Sequence, residues 1–215
     1  MSRPRVVVVG SANMDLVATA PALPRPGETV LGDDFAMIPG GKGANQAIAA
    51  ARAGADCAFL GAIGSDSFGV TLKARLTASG VDTAHLRVSY GGSGVAVIMV
   101  DAAGENAIVV SPGVNGSFTG LTEAETAVIG AADVLLLQLE IPLETAIGAA
   151  VAARAAGTRV VLNAAPARPL PDVLLAATDL LVVNEVEAQA LTGRGRTDPG
   201  ALLAAVPRAV LTLGA

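Results

Sequence analysis

An α/β fold built around a mostly parallel sheet is predicted by three features of the chain. Short β-branched runs end in polar residues, alanine-rich segments follow them, and the two kinds of segment alternate steadily through the second half. Residues 5–9, RVVVV, form a continuous apolar run suited to a buried central strand, and the chain then delivers Ser11, Asn13 and Asp15. In open α/β sheets the carboxyl ends of the strands are where ligands bind, so these polar residues mark one wall of a candidate crevice.

Residues 16–39 change character. Pro21, Pro24, Pro26 and Gly27 punctuate short segments, 29–31 and 35–38, and no helical period runs through them. This stretch is expected to leave the main layer as a β excursion. The next segment is glycine-rich, Gly40-Gly41-Lys42-Gly43-Ala44-Asn45-Gln46-Ala47, and runs into a helix whose apolar face carries Ala47, Ile48 and Ala51. Free N–H groups and the dipole at that helix start favour electron-rich ligand atoms, with Lys42 and Asn45 projecting beside them.

Residues 55–60 read as the next strand, and 61–69 as a loop into a helix ending near Ser79-Gly80. From 86 to 110 β signals return, with Val95, Val97 and Met99 on one side and a turn at 101–106. Joined to the earlier excursion, this hairpin makes a small β lid of residues 13–38 and 86–113, leaving 1–12, 39–85 and 114–215 as the α/β body. The body continues as helix 122–129, strand 134–139, helix 143–156, strand 159–162, helix 171–177, strand 180–183, helices 186–192 and 199–206, and strand 209–213. With no closing helix after that last strand, the sequence is expected to be cut short.

Composition narrows the partners. The 215 residues are 52% hydrophobic, enough for a substantial core, and carry a net charge of −5 with scattered basic residues. That excludes a nucleic-acid groove and an anionic membrane surface. Aromatics make up 2%, so recognition falls to polar side chains and a small-molecule ligand fits best. Cys57 is the single cysteine and can build no disulfide within the chain, which fits a reducing cytoplasm. The run at 6–9 is too short for a signal peptide, and Asp133, Glu140, Pro142 and Glu144 interrupt the most apolar later stretch, so no membrane span is expected despite a mean hydropathy of +0.59.

Each candidate residue has a plainer explanation beside the functional one. Asn13 and Asp15, two apart on an extended backbone, face one side and suit polyol hydroxyls, or they cap a turn. Glu140, after the strand at 134–139, reaches the same sheet edge, or complements a helix N-terminus. Asn184 and Glu187, at i and i+3 after a strand, fit a capping box as well as a nucleotide or a water-bound Mg²⁺. His85, the single histidine, reads as structural or solvated, and Asn115-Gly116-Ser117 matches a glycosylation acceptor by chance. Neither a complete phosphate-cradling G-x-x-x-x-G-K-[ST] motif nor a G-x-G-x-x-G fingerprint after a strand is present, which sets an NAD-type oxidoreductase far behind.

Taken together, Asn13-Met-Asp15, the run Gly40 to Gln46, Gly54, Gly64-Ser-Asp66-Ser-Phe68-Gly69, Gln138-Leu-Glu140 and Asn184-x-x-Glu187 closely resemble the ribokinase branch of the PfkB carbohydrate kinase family. The likeness covers essentially the whole chain. It implies a ribokinase-like sheet flanked by helices with a β lid that often forms a homodimer contact, and ATP-dependent phosphorylation of D-ribose at its 5-hydroxyl, with Mg²⁺ and a monovalent cation, K⁺, as cofactors. By the same resemblance Asn13, Asp15, Gly41, Lys42, Gly43, Asn45 and Glu140 would hold sugar. Asn184, Glu187, Thr212 and Gly214 would lie on the ATP and Mg²⁺ side, Glu187 acting on the metal through water.

The family's Gly-Ala-Gly-Asp segment, with its catalytic base, anion hole and K⁺ site, would fall beyond Ala215. No catalytic residue of the family is therefore expected in this chain, and its activity alone is expected to be impaired. A nucleoside or other sugar kinase of the same family and a non-catalytic sugar-binding remnant are the competing expectations.

Overall fold

A computed structural model describes residues 2–193 and 199–213. Its main layer is a sheet of seven parallel strands. In chain order these are β1 (Arg5–Val9), β4 (Asp56–Gly64), β5 (Leu86–Ser89), β8 (Val134–Leu137), β9 (Arg159–Asn163), β10 (Leu180–Asn184) and β11 (Ala209–Thr212). Their spatial order is β11-β10-β9-β8-β1-β4-β5. From β1 the chain builds outward first through β4 and β5, then returns to β1's other side to lay down β8 onward. The direction of winding therefore reverses between β1 and β8, and such a switch point opens a crevice at the strands' carboxyl ends.

A second sheet of four strands has the order β3-β2-β6-β7, formed by β2 (Asn13–Ala20), β3 (Asp34–Gly40), β6 (Gly94–Asp101) and β7 (Asn106–Ser111). Strand β2 starts almost directly after β1, pairing Asn13 with Gly40 on one side and with Gly94 on the other.

Both faces of the large sheet are apolar because its strands alternate between two cores. Val7 and Val9 of β1 join Leu60, Leu135, Leu137 and Leu162 on one side, where α3 (Glu123–Ala131), α4 (Leu143–Ala156) and α5 (Asp172–Ala176) cover them. Val8 points the other way into a cluster with Phe59, Ile63, Leu72 and Leu76 under α1 (Lys42–Arg52) and α2 (Ser67–Ala78). Helix α4 is nearly all small residues on its inner face, Ala146, Ala149, Ala150 and Ala153, all fully buried, so it lies close on the strands. Helices α6 (Glu185–Thr192) and α7 (Pro199–Ala205) pack on β11. No helix among the described residues is long and apolar enough to cross a membrane.

The alternation in the second half follows the sequence expectation closely, and helix 143–156 falls at the expected residues. The first half differs in four places. Residues 13–20 are one continuous strand, because each backbone group there finds a partner on β3 and β6. Residues 29–31 are not a strand, and residues 61–64, read as loop, continue β4. Gly61 and Gly64 supply no side chain that would mark a strand, but a Cβ at Gly61 would press to 2.9 Å on Phe59. Residues 86–89, expected with the lid, pair with β4 at the edge of the large sheet, so the lid strands resume only at Gly94.

Beneath that edge sits a charged pair in an apolar setting. The Arg87 Nε donates to Glu125 Oε1 at 2.8 Å, a second guanidinium nitrogen reaches Oε2, and the guanidinium lies 4.5 Å from the centre of the Phe118 ring. Burial works against the Glu125 carboxylate, but hydrogen bonds from Arg87 and from the Thr122 cap outweigh it and hold the group below its ordinary value. Arg87→Met strands a buried carboxylate and lowers the unfolding free energy by about 3 kcal/mol in urea titrations. Because the folded pKa is depressed, this contribution is present above the ordinary value of 4.5 and lost as the pH falls through the folded value. The fall in stability between about pH 5 and pH 3 is therefore shallower in Glu125→Gln than in the parent chain.

Candidate active site

The crevice between β1 and β8 is a cavity of about 740 Å³ roofed by the lid strands. Most of its polar lining comes from three places: Asn13 and Asp15 at the start of β2, Lys42 and Asn45 in the first turn of α1, and Glu140 just after β8. The roof is apolar, with Ala96 and Ile98 of β6 and Ile108 and Val110 of β7. Asn13 and Asp15 point into the same space because they are two apart on one strand.

Glu140 ties these elements together. Its Oε2 accepts from Ser11 Oγ at 2.6 Å, from Asn13 Nδ2 at 3.3 Å and from the backbone N–H of Lys42 at 3.3 Å, while Lys42 Nζ stands 3.9 Å from Oε1. The helix start expected to await a ligand is thus already occupied by a carboxylate of the chain itself. Two further N–H groups of this turn are also used, Ala44 N donating to Ser11 O and Asn45 N to Gly41 O, both at 2.9 Å. The side chains of Lys42 and Asn45 line the cavity beside this turn.

Glycines make this closeness possible. Gly41 has φ +91°, and a Cβ there would lie 2.6 Å from Asn13 N; at Gly43 it would lie 2.7 Å from Ser11 N. Gly41 lines the cavity. Gly43, expected as a sugar contact, lies against Gly10 and Ser11 just after β1, where its lack of a side chain lets α1 seat closely.

Among the described residues Asp15 is the carboxylate whose pKa the fold raises. Burial raises its pKa above 3.8, the nearby Glu140 charge raises it further, and Lys42 pulls it partly back. An acceptor rich in negative charge, with an ammonium beside it, fits neighbouring hydroxyls that both donate and accept.

The remaining predicted residues form a separate group. Asn184 ends β10 and pairs in register with Thr212 of β11, so the two sit side by side at the same sheet edge. Strand β10 is two places from β8, about 10 Å across the sheet. Asn184 caps α6 by accepting from Glu187 N at 2.8 Å, and Glu187 Oε2 accepts from Asn184 N at 2.9 Å, a reciprocal capping box. Thr212 Oγ1 lies 3.4 Å from Val183 O. Gly214 lies outside the described residues.

Sequence reasoning missed four residues. Ser11 holds Glu140, and the fully buried Asn115 holds Asn13; Arg168 and Glu144 extend the cavity wall toward the loop after β9. Arg168 has no carboxylate within ion-pair distance among the described residues. Ser11 was legible as part of the polar strand end. Asn115 carried only the misleading signal of a glycosylation acceptor, and Arg168 carried none.

A family model described as pfkB family carbohydrate kinase matches residues 3–215. The chain belongs to that family. Among curated relatives of this pfkB chain, the ribokinase of Haemophilus influenzae is 45% identical over 193 residues, covering 89% of the chain and 63% of the relative. The ribokinase of Bacillus subtilis is 42% identical over 190 residues, covering 86% and 64%. The chain thus spans a little under two thirds of these relatives. The solved ribokinase of Arabidopsis thaliana, complexed with ribose and ATP, superposes with a TM-score of 0.88 at 32% identity, over 99% of this pfkB chain and 73% of that one.

A prediction follows from Asp15. Its folded pKa is raised, so its contribution is fully present below the unfolded value near 3.8 and lost as the pH rises through the folded value. In the absence of ligand, Asp15→Asn melts higher than the parent chain at neutral pH, and the gap closes in acid; calorimetric scans at both pH values read it.

Proposed function

We propose that the chain supplies the sugar site and part of the nucleotide site of an ATP-dependent sugar kinase that phosphorylates D-ribose to ribose 5-phosphate. The observation that supports this most is the convergence of Asn13, Asp15, Lys42, Asn45 and Glu140 on one cavity at the switch point of the sheet. Two carboxylates, two amides and an ammonium under an apolar roof suit a small polyol with one non-polar face. The relatives above, all ribokinases, give the substrate class.

Within that reading the residues divide by distance. Asp15 accepts from sugar hydroxyls, Lys42 and Asn45 donate or accept opposite it, and Glu140 holds the first turn of α1 in place. ATP lies toward Asn184 and Thr212, across β9. The sugar's 5-hydroxyl oxygen forms a bond to the γ-phosphorus, the bond to ADP breaks, and the hydroxyl proton passes to a base. Arg168, which lines the cavity and has no ion-pair partner among the described residues, would meet the charge of the phosphoryl group.

Mg²⁺ on the triphosphate would supply charge neutralisation. The site fits it only indirectly: Glu187 is 92% buried and one of its oxygens is engaged in the capping box, so it would reach a metal through water, beside Asn184. A dimer through the lid is supported by Phe35, Met37 and Val109, each more than half exposed on the lid strands. A cytoplasmic location fits the single buried thiol.

The test is calorimetric titration with ribose, fructose and adenosine. Ribose is expected to bind, and Asp15→Ala to weaken it by roughly 10- to 100-fold, the loss of a charged hydrogen bond. A preference for adenosine over ribose would overturn the ribose reading and favour a nucleoside kinase.

A further inference from the structure

Asn115 lies outside the cavity, in the 3-10 turn Gly113–Ser117 by which the chain returns from β7 to the large sheet. Only 1% of it is exposed, yet every polar atom of its side chain is used. Its Oδ1 accepts from Ala12 N at 3.2 Å, and its Nδ2 donates to Ala12 O at 3.0 Å and to Asn13 Oδ1 at 2.8 Å. The two bonds to Ala12, one accepted and one donated, fix which end of the amide is which. A flipped Asn115 would set oxygen against oxygen and N–H against N–H at Ala12.

This orientation passes to Asn13. With its Oδ1 turned to Asn115, which lies outside the cavity lining, Asn13 presents its Nδ2 toward the crevice, where one hydrogen is directed at Glu140 Oε2. Gly94, the residue paired with Asn13 at the start of β6, closes the arrangement: a Cβ there would collide with both Asn13 Oδ1 and Asn115 Nδ2. An unrestrained asparagine amide offers a ligand either a donor or an acceptor. Here its surroundings turn the donor end to the cavity.

We infer that Asn115 is a positioning residue that locks the Asn13 amide as a donor toward the sugar, making the site selective for a ligand oxygen that accepts at that point. The inference rests on the sugar-kinase reading above. It assigns to the turn closing the lid a part in specificity, because the same turn that brings the chain back from β7 sets what the floor of the cavity can recognise. A ligand carrying hydrogen in place of that oxygen would leave the second N–H of Asn13 facing the cavity unpaired.

A double-mutant cycle on ribose affinity tests this, using Asn13→Ala, Asn115→Ala and the pair, with Asn115→Ser as a milder second variant that keeps one hydrogen-bonding group at Ala12. If Asn115 acts through Asn13, each single variant weakens ribose binding by roughly tenfold or more, and adding either Asn115 change to Asn13→Ala weakens it by less than about threefold further. A purely structural role would lower the melting temperature in the same way but give losses that multiply.

A second readout is discrimination. The ratio of ribose to the monodeoxyribose that the parent chain rejects most strongly should collapse in both Asn115 variants. Multiplying losses, an unchanged ratio, or failure of both Asn115 variants to fold at low temperature would overturn the assignment. Failure of the parent chain itself to bind any pentose would overturn the sugar reading, a result distinguishable from the others because it needs no variant.

Discussion

One carboxylate oxygen organises the site. Glu140 Oε2 accepts hydrogen bonds from Ser11 after β1, from Asn13 at the root of the lid and from the first N–H of α1, so three separate pieces of chain meet on a single atom. Bonds from these donors to a carboxylate are stronger than bonds to a neutral acceptor of the same shape would be. Everything else in the crevice follows from this clamp. Lys42 is set beside Oε1, Asn45 follows in the same first turn, and Asp15, buried and placed near a second negative charge, has its pKa raised. The stability lost at Asp15 in the free protein is what a sugar hydroxyl would recover on binding.

The glycines around the clamp make it geometrically possible. Gly41 and Gly43 let α1 approach β1 to a distance that a methyl group would prevent, and Gly94 does the same for the Asn13–Asn115 pair. The small-residue face of α4 continues the theme on the other side of the sheet, where close packing brings the residues after β8, Glu140 included, to the crevice. Polar recognition here is built from backbone proximity more than from long side chains, in keeping with a chain so poor in aromatics.

Much of this was legible in the sequence, for physical reasons that differ by region. The second half alternates apolar runs and alanine-rich helices with clear polar punctuation, so its elements fall where periodicity puts them, as at Leu143–Ala156. The polar residues at strand ends were likewise readable, because strand carboxyl ends collect at one edge. What was not readable depended on long-range pairing. Residues 13–20 become a strand through partners at 34–40 and 94–101, and 86–89 joins the large sheet through β4, neither of which local composition can announce. Asn115 is the clearest case: its role arises from contacts to Ala12 and Asn13, about a hundred residues earlier, and its neighbours Gly116 and Ser117 suggested something else.

The account makes Glu140's charge, not merely its shape, the central requirement, and Glu140→Gln separates the two. Ribose titration by calorimetry, alongside a melting curve to confirm folding, is the direct measurement. A folded variant that binds ribose at least tenfold more weakly than the parent chain is the predicted result. A folded variant with parental affinity would contradict it.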